Sequence, residues 1–208
     1  MPDARLVRIG VLDHGSGNLH SAVKALQAAG AEVTLGGVDD IRECDGVVVP
    51  GVGAFAACMQ GLRQVGGDEL VRERIASGRP VLGICVGHQV MFDEGAEHGI
   101  HSEGVGLLPG RVTRLDAHRL PHMGWNVVEP GEGSRLFTPG QRYYFVHSYG
   151  VLEAPDTPGA IVSWTEHEGV RVVAAVEAGP LTSFQFHPEK SGNAGVVLLR
   201  RWVESVRG

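Results

Sequence analysis

A cysteine between two glycines ends an apolar stretch of the chain, in the order Gly83-Ile84-Cys85-Val86-Gly87. Residues 81–84 predict a buried strand, and residues 88–92 predict a helix after it. A sharp turn from strand to helix leaves no room for large neighbours, so this pattern is typical of a nucleophile elbow. The helix dipole would favour a thiolate at Cys85, and the Val86 N–H would face a developing oxyanion. The alternative is a cysteine that only packs in a glycine-rich turn.

A histidine and a glutamate two residues apart form the second candidate, in the order Phe186-His187-Pro188-Glu189. Proline favours extended backbone at the residue before it, where residues i and i+2 project to the same side. Glu189 can then hold one imidazole nitrogen of His187 while the other faces a nucleophile, as in a catalytic triad. A loop histidine beside a surface glutamate is the alternative. Both candidates follow predicted strands, and the carboxyl ends of parallel strands meet in one crevice, so together they predict a Cys-His-Glu site.

A glycine-rich segment, Pro50-Gly51-Val52-Gly53-Ala54-Phe55, follows a predicted strand at residues 47–49. Its glycines would let backbone N–H groups approach a ligand, as an oxyanion hole requires, although an ordinary strand-to-helix turn is the alternative. Residues 15–17 lack the third glycine of a dinucleotide-binding loop, and the chain has no Walker P-loop. His98 and His101 lie in a predicted polar loop without a firm third ligand. We therefore expect no metal and no cofactor.

The elements that must position these residues change along the chain. In the first half, apolar runs alternate with helical periodicity, which predicts a parallel sheet covered on both faces. Strands are predicted at residues 5–12, 32–35, 47–49 and 81–84, and helices at 18–29, 54–64 and 69–76. The second half predicts strands at residues 111–115, 125–128, 142–146, 160–164, 172–176 and 182–186, and a helix from about residue 194. We predict a single α/β domain over residues 1–208, with a mixed, mostly parallel sheet flanked by helices.

The composition excludes several classes of protein. The 208 residues are 43% hydrophobic and 20% charged, which favours a globular chain over a disordered one. Three cysteines do not make a disulfide framework, and a net charge of -6 has the wrong sign for binding a nucleic-acid backbone. No apolar run approaches the roughly 20 residues that span a bilayer, and the first residues lack a signal-peptide pattern. We expect a cytoplasmic protein that binds neither nucleic acid nor membrane.

Taken together, the motifs resemble those of the class I glutamine amidotransferases, in which a Cys-His-Glu triad hydrolyses glutamine. The resemblance rests on GICVGHQ at residues 83–89 and QFHPE at residues 185–189. Within that family the chain is most similar to the glutaminase subunits of imidazole glycerol phosphate synthases, from histidine biosynthesis. This narrower resemblance rests on DHGSGNL at 13–19, PGVGAF at 50–55, PHMGWN at 121–126, YFVHSY at 144–149 and HPEKS at 187–191.

The resemblance implies a role for each matching residue. Cys85 would attack the side-chain amide of glutamine, His187 would activate the thiol and protonate the departing ammonia, and Glu189 would orient His187. The other implied roles are an oxyanion hole at Gly51, Val52, Gly53 and Val86, and glutamine binding by Gln89, Glu97, His147, Ser148 and Tyr149. The implied partner face includes Asn18, Met123, Trp125, Asn126 and Lys190.

Four residues depart from the usual pattern of the resembled subunits. His14 stands where tyrosine is usual, and Val86 and His88 replace the commoner leucine and methionine. Ser183 stands where glycine is frequent. None of the four belongs to the implied triad.

A glutaminase domain would occupy the whole of these 208 residues, so we expect the site that uses the ammonia to lie on another chain. In the resembled enzymes that chain is a (β/α)8-barrel cyclase, which forms a heterodimer with the glutaminase. The cyclase uses the ammonia to make imidazole glycerol phosphate and the carboxamide ribonucleotide AICAR. Two alternatives stay open: a class I glutaminase subunit of another synthase, and a non-catalytic thiol sensor of similar fold. The intact His187 and Glu189 argue against the sensor, which needs no general acid.

Overall fold

The structure is a computed structural model, and it describes residues 5–15, 18–97 and 99–207. Strands and helices are numbered here in chain order. The strands are β1 (Arg8–Leu12), β2 (Glu32–Gly36), β3 (Gly46–Gly51), β4 (Val81–Cys85), β5 (Phe92–Glu97), β6 (Ile100–Glu103), β7 (Leu108–Arg114), β8 (His122–Val127), β9 (Arg142–His147), β10 (Tyr149–Gly150), β11 (Ile161–His167), β12 (Val170–Ala178) and β13 (Leu181–Phe184). The helices are α1 (Leu19–Ala28), α2 (Val38–Ile41), α3 (Phe55–Gln64), α4 (Gly67–Ala76), α5 (Val86–Gln89) and α6 (Gly192–Val206).

Seven strands form the central sheet, in the order β11-β12-β13-β4-β3-β1-β2. The neighbours from β13 to β2 pair in parallel, whereas β11 and β12 add antiparallel strands at one edge. Strands β3 and β4 are buried along their whole length, as expected where helices cover both faces of a parallel sheet. The predicted fold class, a mixed and mostly parallel sheet flanked by helices, is therefore confirmed.

The strands of the second half do not all join this sheet. Strands β10, β7, β5 and β6 form a separate four-stranded sheet, and β8 and β9 form a two-stranded sheet, within the part of the chain that the structure describes. Alternating or apolar runs predict that a segment is extended, but its partner depends on contacts between residues far apart in the chain. The single predicted sheet is therefore wrong for these strands.

Two local predictions are also wrong. The helix predicted at residues 88–92 ends at Gln89, and Phe92 begins strand β5. The predicted polar loop around Ile100 contains strand β6, which pairs antiparallel with β5. Short apolar runs have the same composition in buried strands and buried helices, so periodicity does not separate them. His98 lies outside the described residues.

A buried arginine in α4 joins the segments that lead into β3 and β4. The Arg74 guanidinium donates hydrogen bonds to the carbonyl oxygens of Arg42, Cys44, Asp45 and Pro80, at 2.9 to 3.2 Å. Cys44 packs in the core beside it. Arg79 also donates to the carbonyl oxygens of Arg42 and Cys44, and the N–H of Val47 donates to that of Pro80. The Arg74 bonds add to these contacts and join the segments that precede the two strands that carry the site.

The site-bearing segments meet at the carboxyl ends of three adjacent strands. Gly51 at the end of β3 is in register with Cys85 at the end of β4, and Phe184 at the end of β13 is in register with Ile84. Three residues after Phe184 the chain reaches His187. The parallel pairing thus brings together segments that are more than 100 residues apart in the chain. No helix within the described ranges is both long and apolar enough to cross a membrane.

Candidate active site

Cys85 lies on a tight turn between β4 and α5. Its backbone has φ 57°, in the left-handed region that residues other than glycine rarely adopt. A Cβ on Gly87 would lie 1.9 Å from the carbonyl oxygen of Val49, and one on Gly83 would lie 2.5 Å from the carbonyl oxygen of Gly87. Both positions therefore require glycine, because the turn is pressed against its own strand and against β3. This is the strained geometry of a nucleophile elbow.

His187 connects the cysteine to a carboxylate. Its Nδ1–H donates a 2.6 Å hydrogen bond to Glu189 Oε1, and its ring also forms a hydrogen bond with Cys85. Burial by itself would lower the pKa of His187, but the hydrogen bonds to Cys85 and Glu189 outweigh it and raise the pKa to about 9. The histidine side chain is almost fully buried, as is that of Glu189. The buried site therefore holds His187 protonated at neutral pH.

The backbone of His187 is fixed by a serine that sequence reasoning missed. Ser191 Oγ donates to the carbonyl oxygen of His187 at 2.6 Å and accepts from the N–H of Tyr144 at 2.9 Å. The N–H of His187 donates in turn to the carbonyl oxygen of Tyr144. Ser191 belongs to the HPEKS motif, which is the signal that could have identified it.

The glycine-rich segment after β3 faces the elbow. A Cβ on Gly51 would lie 2.6 Å from the backbone nitrogen of Gly87, so this strand end and the first turn of α5 touch directly. Val52, Gly53 and Val86 line the cavity that contains Cys85. His14 also contacts this segment, because its Nε2–H donates a 2.6 Å hydrogen bond to the carbonyl oxygen of Pro50. The arrangement can direct backbone N–H groups towards an oxyanion beside the sulfur.

One cavity of about 280 Å³ brings most of the predicted site residues together. Cys85 and His187 both line it. The remaining lining residues are Val52, Gly53, Val86, Gln89, Glu97, Val146, His147, Ser148, Tyr149 and Lys190. Glu97 comes from the hairpin of β5 and β6, and its Oε2 accepts a 3.0 Å hydrogen bond from the N–H of Phe55. The cavity can take a small polar ligand that carries both an ammonium and a carboxylate group.

The side-chain amide of Gln89 has a defined orientation. Its Nε2 donates to the carbonyl oxygen of Tyr149 at 2.8 Å and to Gln185 Oε1 at 3.0 Å. Both amide hydrogens are then used within the protein, so Gln89 offers its Oε1 to a ligand as an acceptor. An acceptor here suits a ligand ammonium group.

The five residues of the predicted partner face differ in exposure and lie on three separate segments of the chain. Met123 and Trp125 lie on β8 and are 61% and 50% exposed. Lys190 is exposed and also lines the cavity. Asn18 precedes α1, which packs on the 3-10 turn Pro188–Lys190, and Asn126 is half-buried on β8. Lys190 thus adjoins Cys85 and His187 in the cavity wall, and the partner face as a whole stays a prediction.

Two of the departures from the usual pattern contact each other. His88 Nδ1 lies 2.8 Å from Ser183 Oγ, and both residues are fully buried. Burial lowers the pKa of His88 to about 3, so its ring is neutral. The hydrogen bond joins α5, next to the nucleophile, to β13, which leads to His187. Nothing in the sequence indicated this pairing, because the two residues are 95 positions apart.

The remaining cysteine near the site is not a second nucleophile. Cys58 is buried in α3, and desolvation, followed by the effect of Cys85, raises its pKa to about 12. A thiol with that pKa stays protonated and inert at neutral pH.

Comparison with known proteins places this geometry in a family. The model for "Glutamine amidotransferase class-I" matches residues 10–204. A crystal structure described as a glutamine amidotransferase has the same fold, with a TM-score of 0.74 at 20% identity over 95% of this chain and 97% of that chain.

Among curated relatives, the chain is 54% identical over 198 residues to imidazole glycerol phosphate synthase subunit HisH of Mycolicibacterium paratuberculosis, covering 93% of this chain and 96% of the relative. It is 54% identical over 208 residues to the HisH subunit of Corynebacterium glutamicum, covering 95% and 98%. The chain therefore belongs to the class I glutamine amidotransferases and, within them, to the HisH subunits of imidazole glycerol phosphate synthase.

Replacing Glu189 with glutamine should lower the pKa of His187 from about 9. The amide oxygen can still accept from Nδ1, but the negative charge that stabilises the imidazolium is lost. We expect the ¹⁵N NMR titration of His187 to move to lower pH and glutamine turnover to fall at least about tenfold. Glu204→Gln, on the exposed face of α6, is the control. An unchanged His187 titration in Glu189→Gln would show that the carboxylate does not set this pKa.

The pairing of His88 with Ser183 should appear as a coupling energy in urea unfolding. Ser183→Ala leaves a buried imidazole nitrogen without a partner, which should cost about 1–3 kcal/mol. In a His88→Met background no such nitrogen remains, so the same change should cost less than about 1 kcal/mol. Additive effects of the two substitutions would contradict a hydrogen bond between them.

Proposed function

We propose that Cys85, His187 and Glu189 hydrolyse the side-chain amide of glutamine and that the released ammonia passes to a cyclase subunit in histidine biosynthesis. The observation that carries this proposal is the hydrogen-bonded series Cys85–His187–Glu189, of which Cys85 and His187 line a cavity of about 280 Å³. Neither a packing cysteine nor a thiol sensor requires a buried carboxylate that orients the histidine.

The reaction divides into two steps at the same sulfur. The Cys85 sulfur attacks the amide carbon, and His187 holds the proton that the thiol has lost. The tetrahedral oxyanion is stabilised by backbone N–H groups of Val86 and of the segment Gly51–Val52–Gly53. When the carbon–nitrogen bond breaks, His187 gives its proton to the leaving nitrogen, and ammonia departs. Water then attacks the glutamyl thioester with His187 as general base, which releases glutamate and restores the thiol.

We assign the glutamine-binding role to the wall of the cavity opposite the triad. Gln89 Oε1 and the Glu97 carboxylate supply acceptors for the substrate ammonium group. The backbone of His147, Ser148 and Tyr149 supplies polar groups to the other side of the amino-acid end. Both charges of free glutamine must be paired when it is desolvated, which is why acceptors and donors surround one small cavity.

The proposed partner is a (β/α)8-barrel cyclase that forms a heterodimer with this chain. The relatives are named as subunits of a synthase, and this supports a partner that uses the ammonia. Met123 and Trp125 are exposed and would give such an interface an apolar centre, and Lys190, which lines the cavity, would give it a charge. We propose that residues 1–208 form one glutaminase domain. We also propose that it acts in the cytoplasm, as part of amino-acid biosynthesis.

Glutamate release tests the proposed reaction. We expect turnover of glutamine by this chain to rise when a barrel cyclase subunit and its nucleotide substrate are added. In Cys85→Ala the activity should be lost in both settings, whereas Cys58→Ala should retain it because Cys58 is a buried, protonated thiol. Stimulation by a different synthase subunit instead would reject the histidine-pathway partner. Absence of turnover in an assembled complex would reject the glutaminase.

Replacing Lys190 with alanine should weaken stimulation by the cyclase more than it weakens the fold. Lys190 is exposed and follows Glu189 directly, so a partner carboxylate can contact it beside the triad. We expect stimulation to fall at least about fivefold, while Tm changes by less than about 2 °C. Parallel losses of Tm and of stimulation would show that the lysine serves the fold.

A further inference from the structure

Two buried histidines connect the proposed partner face to the glutamine cavity. Asn126 Nδ2 lies 3.1 Å from His122 Nε2, and His122 Nδ1 lies 2.9 Å from His147 Nε2. His147 Nδ1 lies 2.9 Å from the carbonyl oxygen of Tyr149. That same oxygen accepts from Gln89 Nε2 at 2.8 Å. The contacts form an unbroken hydrogen-bond chain from β8 to the wall of the cavity.

The contacts at both ends of this hydrogen-bond chain determine which atom donates and which accepts at each step. A carbonyl oxygen only accepts, so His147 must carry its proton on Nδ1 to reach Tyr149. A neutral His147 then accepts at Nε2, which requires a proton on Nδ1 of His122. The remaining nitrogen of His122 accepts from the amide of Asn126. Asn126 cannot be flipped, because its Nδ2 also donates to the Glu166 carbonyl oxygen at 2.7 Å and its Oδ1 accepts from the N–H of Val127.

The surroundings keep both rings neutral and in place. Burial, followed by the neighbouring histidines, lowers the pKa of His122 to about 3, and burial lowers the pKa of His147 to about 4. The ring of His122 is stacked between those of Phe145 and His167, with centroids 4.8 and 4.3 Å away. Each ring therefore has one proton and one orientation.

We infer that His122 is a positioning residue for glutamine binding: through His147 it holds the Tyr149 carbonyl, and this carbonyl holds the amide of Gln89. The inference rests on the proposed function, since it concerns the same cavity. Loss of the donor at His122 leaves a buried nitrogen of His147 unsatisfied, so the ring can rotate and the Tyr149 carbonyl loses the hydrogen bond from His147. The orientation of Gln89, and with it the acceptor offered to the substrate ammonium group, is then no longer defined.

Kinetics in the complex with the cyclase test the role of His122. His122→Phe keeps the ring stack but has no donor, and it should raise the KM for glutamine about tenfold with kcat changed less than about twofold. His122→Asn places an amide N–H near the former Nδ1 and should restore most of the wild-type KM. Asn126→Asp removes the first donor and should also raise KM. His167→Phe, the same substitution on the other side of the stack, should leave KM unchanged.

A measurement on the wild-type protein distinguishes this inference from the proposed function. ¹⁵N NMR should find His122 and His147 as Nδ1–H tautomers at neutral pH, whether or not glutamine is turned over. The tautomers and an increase of KM in His122→Phe would support the inference. Nε2–H tautomers, an unchanged KM, or equal effects of His122→Phe and His122→Asn would overturn it. Absence of wild-type turnover in the complex, with the expected tautomers present, would reject the proposed function and leave the hydrogen-bond chain standing.

Discussion

The close contact between the backbone of the elbow and that of β3 is the constraint on which the site depends. Gly87 lies so near the Val49 carbonyl oxygen that no side chain fits between them. This contact brings the first turn of α5 against the glycine-rich segment that begins at Gly51, and it forces Cys85 into a left-handed backbone conformation. The nucleophile and the proposed oxyanion donors are therefore positioned by one packing interaction. Parallel pairing of β13 with β4 then adds the histidine.

Contacts with Cys85 and Glu189 separate the pKa of the catalytic histidine from the pKa values of its neighbours. His88, His122 and His147 are buried with neutral partners, and burial lowers the pKa of each well below its usual value. His187 is also buried, but Glu189 and Cys85 raise its pKa to about 9. All four histidines are therefore desolvated, but His88, His122 and His147 stay neutral, whereas His187 is protonated and can act as an acid. The outcome is decided by whether an anion is in contact with the ring.

Sequence reasoning found residues that act through a local pattern and missed those that act through a distant contact. The elbow around Cys85 and the pair His187 and Glu189 each carry their signal within five residues, because the turn and the extended segment have strict local requirements. Ser191 and His122 stand inside quoted motifs, but their partners lie far along the chain. The run at residues 88–92 predicts a helix, whereas Phe92 begins a strand. A short apolar run is compatible with either element, and the strand forms because a distant segment pairs with it.

By itself, the sequence determined the alternation of strands and helices, the elbow and the types of residue that make up the triad. These depend on φ preferences, side-chain size and periodicity, which act over a few residues. Only the tertiary structure decided that the strands separate into three sheets and that His88 binds Ser183. It also decided that a hydrogen-bond chain connects Asn126 to Tyr149. The physical reason is that hydrogen bonds between distant side chains, and pKa values set by burial, exist only after the chain has brought those groups together.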